Sequence, residues 1–93
     1  MTTVWKYPLK IVDRQVLEIP HPSSGSKILH VDVIDNEIFL WVEVNPENPP
    51  VQTTILCFGT GHPLLWSDLE HIGTVIKESG VWHFYMPAAD LRI

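Results

Sequence analysis

"KILHVDVIDNEIFLWVEV", residues 27–44, is the stretch on which the fold turns. Asp35-Asn36 lies at its centre, and both residue types tolerate the positive φ that a two-residue hairpin turn needs. Closing the chain there sets Ile34 against Glu37, Val33 against Ile38, Val31 against Leu40 and Leu29 against Val42. In that register Leu29, Val31, Val33, Ile38, Leu40 and Val42 share one face, a period of two that marks the core side of an antiparallel pair. The other face mixes Ile28, His30, Asp32 and Ile34 with Glu37, Phe39, Trp41 and Glu43. Trp41 falls across from His30, and Phe39 across from Asp32. Such a face suits contact with a second layer or another subunit, which makes Phe39 and Trp41 candidate interface anchors.

Strand signals continue on both sides. In "VWKYPLKIV", Trp5, Tyr7, Leu9 and Ile11 alternate with Lys6 and Lys10, and Pro8 cannot donate to a ladder, so an edge strand is expected. "QVLEI" reads as a short second strand that stops at Pro20, and "HPSSGSK" as a loop. Past the proline-rich break "NPENPP", the stretch "VQTTILCF" resumes the sheet. "IGTVIK" and "VWHFYM" form a last hairpin around Glu78-Ser79-Gly80, with Trp82, Phe84 and Met86 on one face and Val81, His83 and Tyr85 on the other. Ser67 and Glu70 have capping-box spacing, which predicts at most a short helical turn. The tail "PAADLRI" reads as a frayed end or an arm across a neighbour. The expected fold is all-β: one domain, residues 1–93, a small antiparallel barrel or sandwich of six to seven strands.

Composition narrows the function classes. The chain has 93 residues, 45% of them hydrophobic, with four tryptophans, enough for one real core and for aromatics that reach the surface. Eleven acidic residues against six basic ones give a net charge of −5, the wrong sign for a groove along a long nucleic acid. A single cysteine, Cys57, allows no internal disulfide and reads as a small buried hydrophobe, in keeping with a reducing cytoplasm. The N-terminal stretch lacks an apolar signal core, and no segment approaches the roughly 20 apolar residues of a membrane span.

Two segments repeat a Gly-Thr pair beside a histidine: "GTGHPL" from residue 59 and "HIGTV" from residue 71. Gly59 and Gly61 permit close backbone approach, and their successive amides can form an anion nest. Thr60 adds a hydroxyl, and His62 an imidazole. If the two segments converge, His71 and Thr74 join them. Trp66, in the loop just past "GHPLL", is placed to stack on a planar ring, and Arg14 or Lys6 to offset an anionic charge. The ligand-site candidates are therefore Gly59, Thr60, Gly61, His62, Trp66, His71, Thr74 and Arg14. "GTGHPL" is neither a Walker loop nor a dinucleotide fingerprint.

The five histidines, His21, His30, His62, His71 and His83, show no HExxH or HxH spacing, so no metal is expected. Cys57 lies mid-strand without an activating helix end, and no nucleophile elbow exists. No catalytic residue and no cofactor are expected.

Taken together, "VWKYPLKIVDRQVLEIP", "KILHV", "LWVEV", "FGTGHPL", "HIGTV" and "VWHFY" resemble a family of small uncharacterised proteins of tailed bacteriophages, prophages and their bacterial hosts. The likeness runs over nearly the whole chain, and its signature blocks are "KYPL" with "DRQV" and "GTGHPL" with "HIGTV". It implies a phage context, and a host-cytoplasmic location, without a mechanism. The expectation is a non-enzymatic binder that sequesters a small anionic ligand such as a nucleotide signal, a counter-defence role. The alternative is an interaction module that inhibits a host defence protein, or an accessory phage structural component. A homo-oligomer is expected in either case.

Overall fold

Asp35 and Asn36 take φ of 51° and 66°, the left-handed pair that closes a two-residue hairpin without splaying its strands. Around this hairpin a computed structural model describes residues 1–23, 25, 27–78 and 80–88. Ser79 of the last turn and residues 89–93 of the tail lie outside the described residues. Seven strands run in chain order: β1 (Thr3–Leu9), β2 (Arg14–Ile19), β3 (Lys27–Ile34), β4 (Glu37–Val44), β5 (Val51–Gly59), β6 (Leu69–Lys77) and β7 (Gly80–Pro87). They form two antiparallel sheets, ordered β1-β4-β3 and β2-β5-β7-β6. The architecture is a sandwich, not a closed barrel, and the described residues include no helix. Consequently none is long and apolar enough to cross a membrane.

The core lies between the sheets. Leu9, Val31, Ile38, Leu40, Val42 and Val44 meet Ile19, Ile55, Cys57, Val75, Phe84 and Met86. Each fully buried large side chain here contributes about 1.5–3 kcal/mol. At one corner the chain passes from β1 to β2, and Gln15 fastens the step. Its Oε1 accepts the Lys10 amide at 3.1 Å, and its Nε2 donates to the Lys10 carbonyl at 2.8 Å. The loop after β2 is pinned by buried His21, whose Nε2 lies 2.8 Å from Thr53 Oγ1 and whose carbonyl accepts from Asn48 Nδ2 at 2.7 Å. At the far corner β3 lies against β6. There Gly73 matters: a Cβ on it would stand 2.5 Å from the Val31 Cβ.

Pro8 does sit in an edge strand, opposite Phe39. Three local expectations are corrected. Leu29 does not pair with Val42: a bulge between Ile28 and His30 sets Ile28 on Val42, so Ile28 packs on the core and Leu29 is 41% exposed. β1 ends at Leu9, leaving Ile11 exposed in the corner, and Trp5, on the core-facing side of its strand, is also exposed at the sheet's end. The helical turn after Ser67 is absent. Asp68 has φ of 54° and Glu70 already pairs with Met86 in β6. One isolated turn fixes several dihedrals for a single hydrogen bond, whereas pairing with β7 repays every residue.

Gly73→Ala should lose about 1–3 kcal/mol of stability, because the added methyl forces β3 and β6 apart. Chemical denaturation measures this. An unchanged midpoint would mean that the sheets have slack at Val31.

Candidate functional site

β5 stops at Gly59, where the chain turns sharply. The His62 amide donates to the Gly59 carbonyl at 3.1 Å, and the Thr60 amide donates to the Val81 carbonyl at 3.3 Å. The Thr60 amide thus extends the β5–β7 ladder, so an outward nest of three successive amides does not form. What Thr60 offers is its hydroxyl. Gly61 has φ of 91°, a left-handed conformation that favours glycine. Gly59 is bare for a different reason. A Cβ there would meet the His62 ring at 3.0 Å and the Trp82 indole at 3.3 Å.

The connection 60–68 then lies back over the second sheet. Leu56 pairs with Arg14 and Tyr85, on the face turned away from the core, yet it is only 1% exposed. Pro63, Leu65 and Trp66 share a cavity of about 330 Å³ with it, together with Asp13, Arg14, Cys57, Phe58 and His62. Three sequence-predicted residues, Arg14, His62 and Trp66, therefore meet around one hollow. Its floor is largely apolar, the Arg14 guanidinium, the His62 imidazole and the Asp13 carboxylate belong to its lining, and Trp66 stands half-exposed at its side. Among the described residues Arg14 forms no ion pair. A second hollow of about 210 Å³ adjoins it, lined by Phe58, Gly59, Thr60, Gly61, His62, Leu64, His83 and Tyr85.

The two Gly-Thr segments do converge, through a residue that the spacing of motifs did not single out. His83 is bonded by Nε2 to Thr60 Oγ1 at 2.8 Å and by Nδ1 to Thr74 Oγ1 at 3.0 Å. Thr74 Oγ1 is in turn 2.7 Å from His71 Nε2. A bulge between His71 and Gly73 makes this possible. In a regular strand, residues three apart point to opposite faces; one extra residue brings His71 and Thr74 to the same face. Each hydroxyl has one proton, so a neutral chain Thr60–His83–Thr74–His71 has two senses. In one, His83 Nε2–H donates to Thr60, leaving the Thr60 proton free for an anion. In the other, Thr60 donates to His83 and presents only lone pairs. His71 and Thr74 reach the hollows only through His83. Tyr85 abuts His71 and Phe58, with ring centroids 5.3 and 5.8 Å away.

The sequence did contain a signal for His83 and Tyr85: the alternation in "VWHFYM" turns them outward once Phe84 and Met86 are core. Their partners depend on strand pairing, which the alternation does not encode. Among the described residues no three His, Cys, Asp or Glu side chains are placed to hold a metal ion.

The interface candidates lie elsewhere, on the outer face of the first sheet. Phe39 and Trp41 are half-buried, 6.1 Å apart and edge to face, with Lys6 Nζ 4.3 Å above the Phe39 ring. His30 lies beside Trp41 and bonds to Asp32. The Val33 amide, and secondarily His30, hold the Asp32 carboxyl below the usual carboxylate range.

Residues 1–91 match a domain of unknown function, DUF7352, and the chain belongs to that family. No curated protein and no solved structure matches it.

Burial first, and then the Asp13 carboxylate, push the Cys57 thiol up to about 11. Thiolate, the reactive form, is therefore scarce at neutral pH. Iodoacetamide at pH 8 should label native protein only as fast as it unfolds; prompt stoichiometric labelling would contradict the buried placement. The folded state also keeps a proton that the unfolded chain releases, so stability should fall as pH rises from about 9 towards 11.

Proposed function

We propose that the protein is a non-enzymatic binder of a small anionic ligand with a flat ring, a nucleotide signal being the type. One observation carries this reading: Arg14 comes from the start of β2 to line, with His62 and Trp66 of the loop after β5, a single cavity of about 330 Å³. That volume is at the small end of ligand pockets, roughly 300–1,000 Å³. The apolar floor of Leu56 and Phe58 suits a base or similar ring, with Trp66 to stack on it. Arg14 supplies a forked donor for phosphate oxygens, His62 a second polar contact, and Thr60 a hydroxyl in the adjoining hollow. A thiol held protonated argues against a cysteine nucleophile at this cavity. In the phage setting that the sequence resembles, sequestering such a signal in the host cytoplasm would counter host defence.

The outer face of the first sheet supports a second reading, a module that docks on a host or phage protein. Phe39 and Trp41 would anchor it, with Val4 and Ile34 exposed beside them and Glu37 and Glu43 at the rim.

Calorimetry against a panel of mono-, di- and cyclic nucleotides tests the first reading. Trp66→Ala should weaken binding about 5- to 100-fold, the worth of one stacked base. His62→Ala and Arg14→Ala should each weaken it about tenfold or more. Binding indifferent to all three substitutions would move the site, and a panel without a binder would remove this ligand class. Under the second reading, a protein captured from host lysate is lost with Trp41→Ala and kept with His62→Ala.

A further inference from the structure

Four strands end the two sheets, and three of them are guarded against pairing with another chain. β1 contains Pro8, and β3 and β6 each contain a bulge and lie against one another. These are the usual ways of blunting an edge. β2 has neither proline nor bulge across its six residues, and among the described residues nothing pairs with its outer side.

The direction of its backbone groups follows from the register. The Cys57 amide donates to the Asp13 carbonyl at 3.2 Å, which makes Asp13 opposite Cys57 a hydrogen-bonded pair. Such pairs alternate along an antiparallel ladder. Gln15, Leu17 and Ile19, opposite Ile55, Thr53 and Val51, therefore turn their amides and carbonyls to β5. Arg14, Val16 and Glu18 turn theirs outward. The side chains of those same three residues are all exposed.

We propose that this edge takes a second copy of the chain, strand against antiparallel strand, about a two-fold axis through Val16. Val16 then faces the partner's Val16, Arg14 faces the partner's Glu18, and Glu18 faces the partner's Arg14. Every outward amide and carbonyl of the three residues finds a mate, and each end of the seam joins opposite charges. No nearby register does both. Moving the axis by one residue sets Val16 opposite a charge and strands the remaining one. Moving it by two sets Arg14 on Arg14 or Glu18 on Glu18, which directly opposed strands penalise. The two four-stranded sheets become one continuous sheet. A seam of six residues a side belongs to the small, reversible class of interfaces.

This inference goes beyond the ligand reading and does not rest on it. The dimer brings the partner's Glu18 to the rim of the cavity through Arg14, whose five N–H donors can serve a carboxylate and a bound anion together.

Sedimentation velocity over a concentration series tests it. The wild-type chain should dimerise. Glu18→Arg and Arg14→Glu should each weaken the dimer at least about tenfold, because two attractive pairs become two repulsive ones. The double swap R14E/E18R should restore it. Val16→Pro should abolish it while the far-ultraviolet dichroism of the fold persists, since the Val16 amide is not used by β5. A monomer at every concentration, a dimer indifferent to these substitutions, or a double swap that restores nothing would each overturn the proposal. The two readings fail separately: a wild-type chain that dimerises and responds as above but binds no nucleotide removes the ligand reading alone, and a monomer that binds nucleotide removes this one alone.

Discussion

At the corner where the two sheets touch, the Val31 side chain occupies the space that a Cβ on Gly73 would need. Glycine is the one residue that lets two backbones come this close without forcing one aside. Both strands at this contact bear a bulge, at Leu29 in β3 and at Ile72 in β6. Bulges add local twist and re-aim side chains. In β3 the bulge brings Ile28 and Val31, three residues apart, to the core side together. In β6 it brings His71 and Thr74, also three apart, to the outer side together. The close approach within the core and the hydrogen-bonded histidines outside are thus two faces of one irregularity in the strand.

That irregularity marks where the sequence stops being legible. Asp35-Asn36 announced a turn, and the alternation beyond it gave correct pairing from Ile34–Glu37 to Val31–Leu40. Pro8 announced an edge. Both signals are local: a turn needs a particular φ, and a proline lacks a donor. A strict period of two misplaces Leu29, because the chain inserts an extra residue there and nothing in "KILHV" marks it. Ser67 and Glu70 had the spacing of a helix cap, but the residues after them gain more from β7 than from one turn of helix. The site divides in the same way. Arg14, His62 and Trp66 could be chosen for their chemistry; that they share a cavity depends on how residues 60–68 fold back. His83, the link between the two Gly-Thr segments, was visible as an outward-facing histidine and invisible as a bridge.

The charge pattern is consistent with this division of surfaces. On the exposed face of the first sheet Lys27 lies 3.7 Å from Glu43, His30 is 3.3 Å from Asp32, and Lys6 stands over the Phe39 ring. Exposed pairs of this kind contribute little stability. The second sheet differs. Arg14 and Glu18 share a face of β2 without an ion pair among the described residues. An overall charge of −5 therefore coexists with one uncommitted cation beside the cavity.

Why the cavity lies there follows from Leu56. An open sandwich leaves the outer face of each sheet to water, and a leucine in the middle of such a face would be exposed. Residues 63–66 instead carry a proline, two leucines and a tryptophan across it. The loop is then tethered at its far end, where the Ala88 amide donates to the Asp68 carbonyl at 2.7 Å. Burying Leu56 contributes to holding the loop down, but Leu65 stays largely exposed and Trp66 half-exposed. The loop covers Leu56 while leaving part of its own apolar surface in water. For a loop whose only task was to connect β5 to β6, polar residues would serve better. Its composition makes physical sense if something further covers Leu65 and Trp66, from within the cavity or from across the β2 edge.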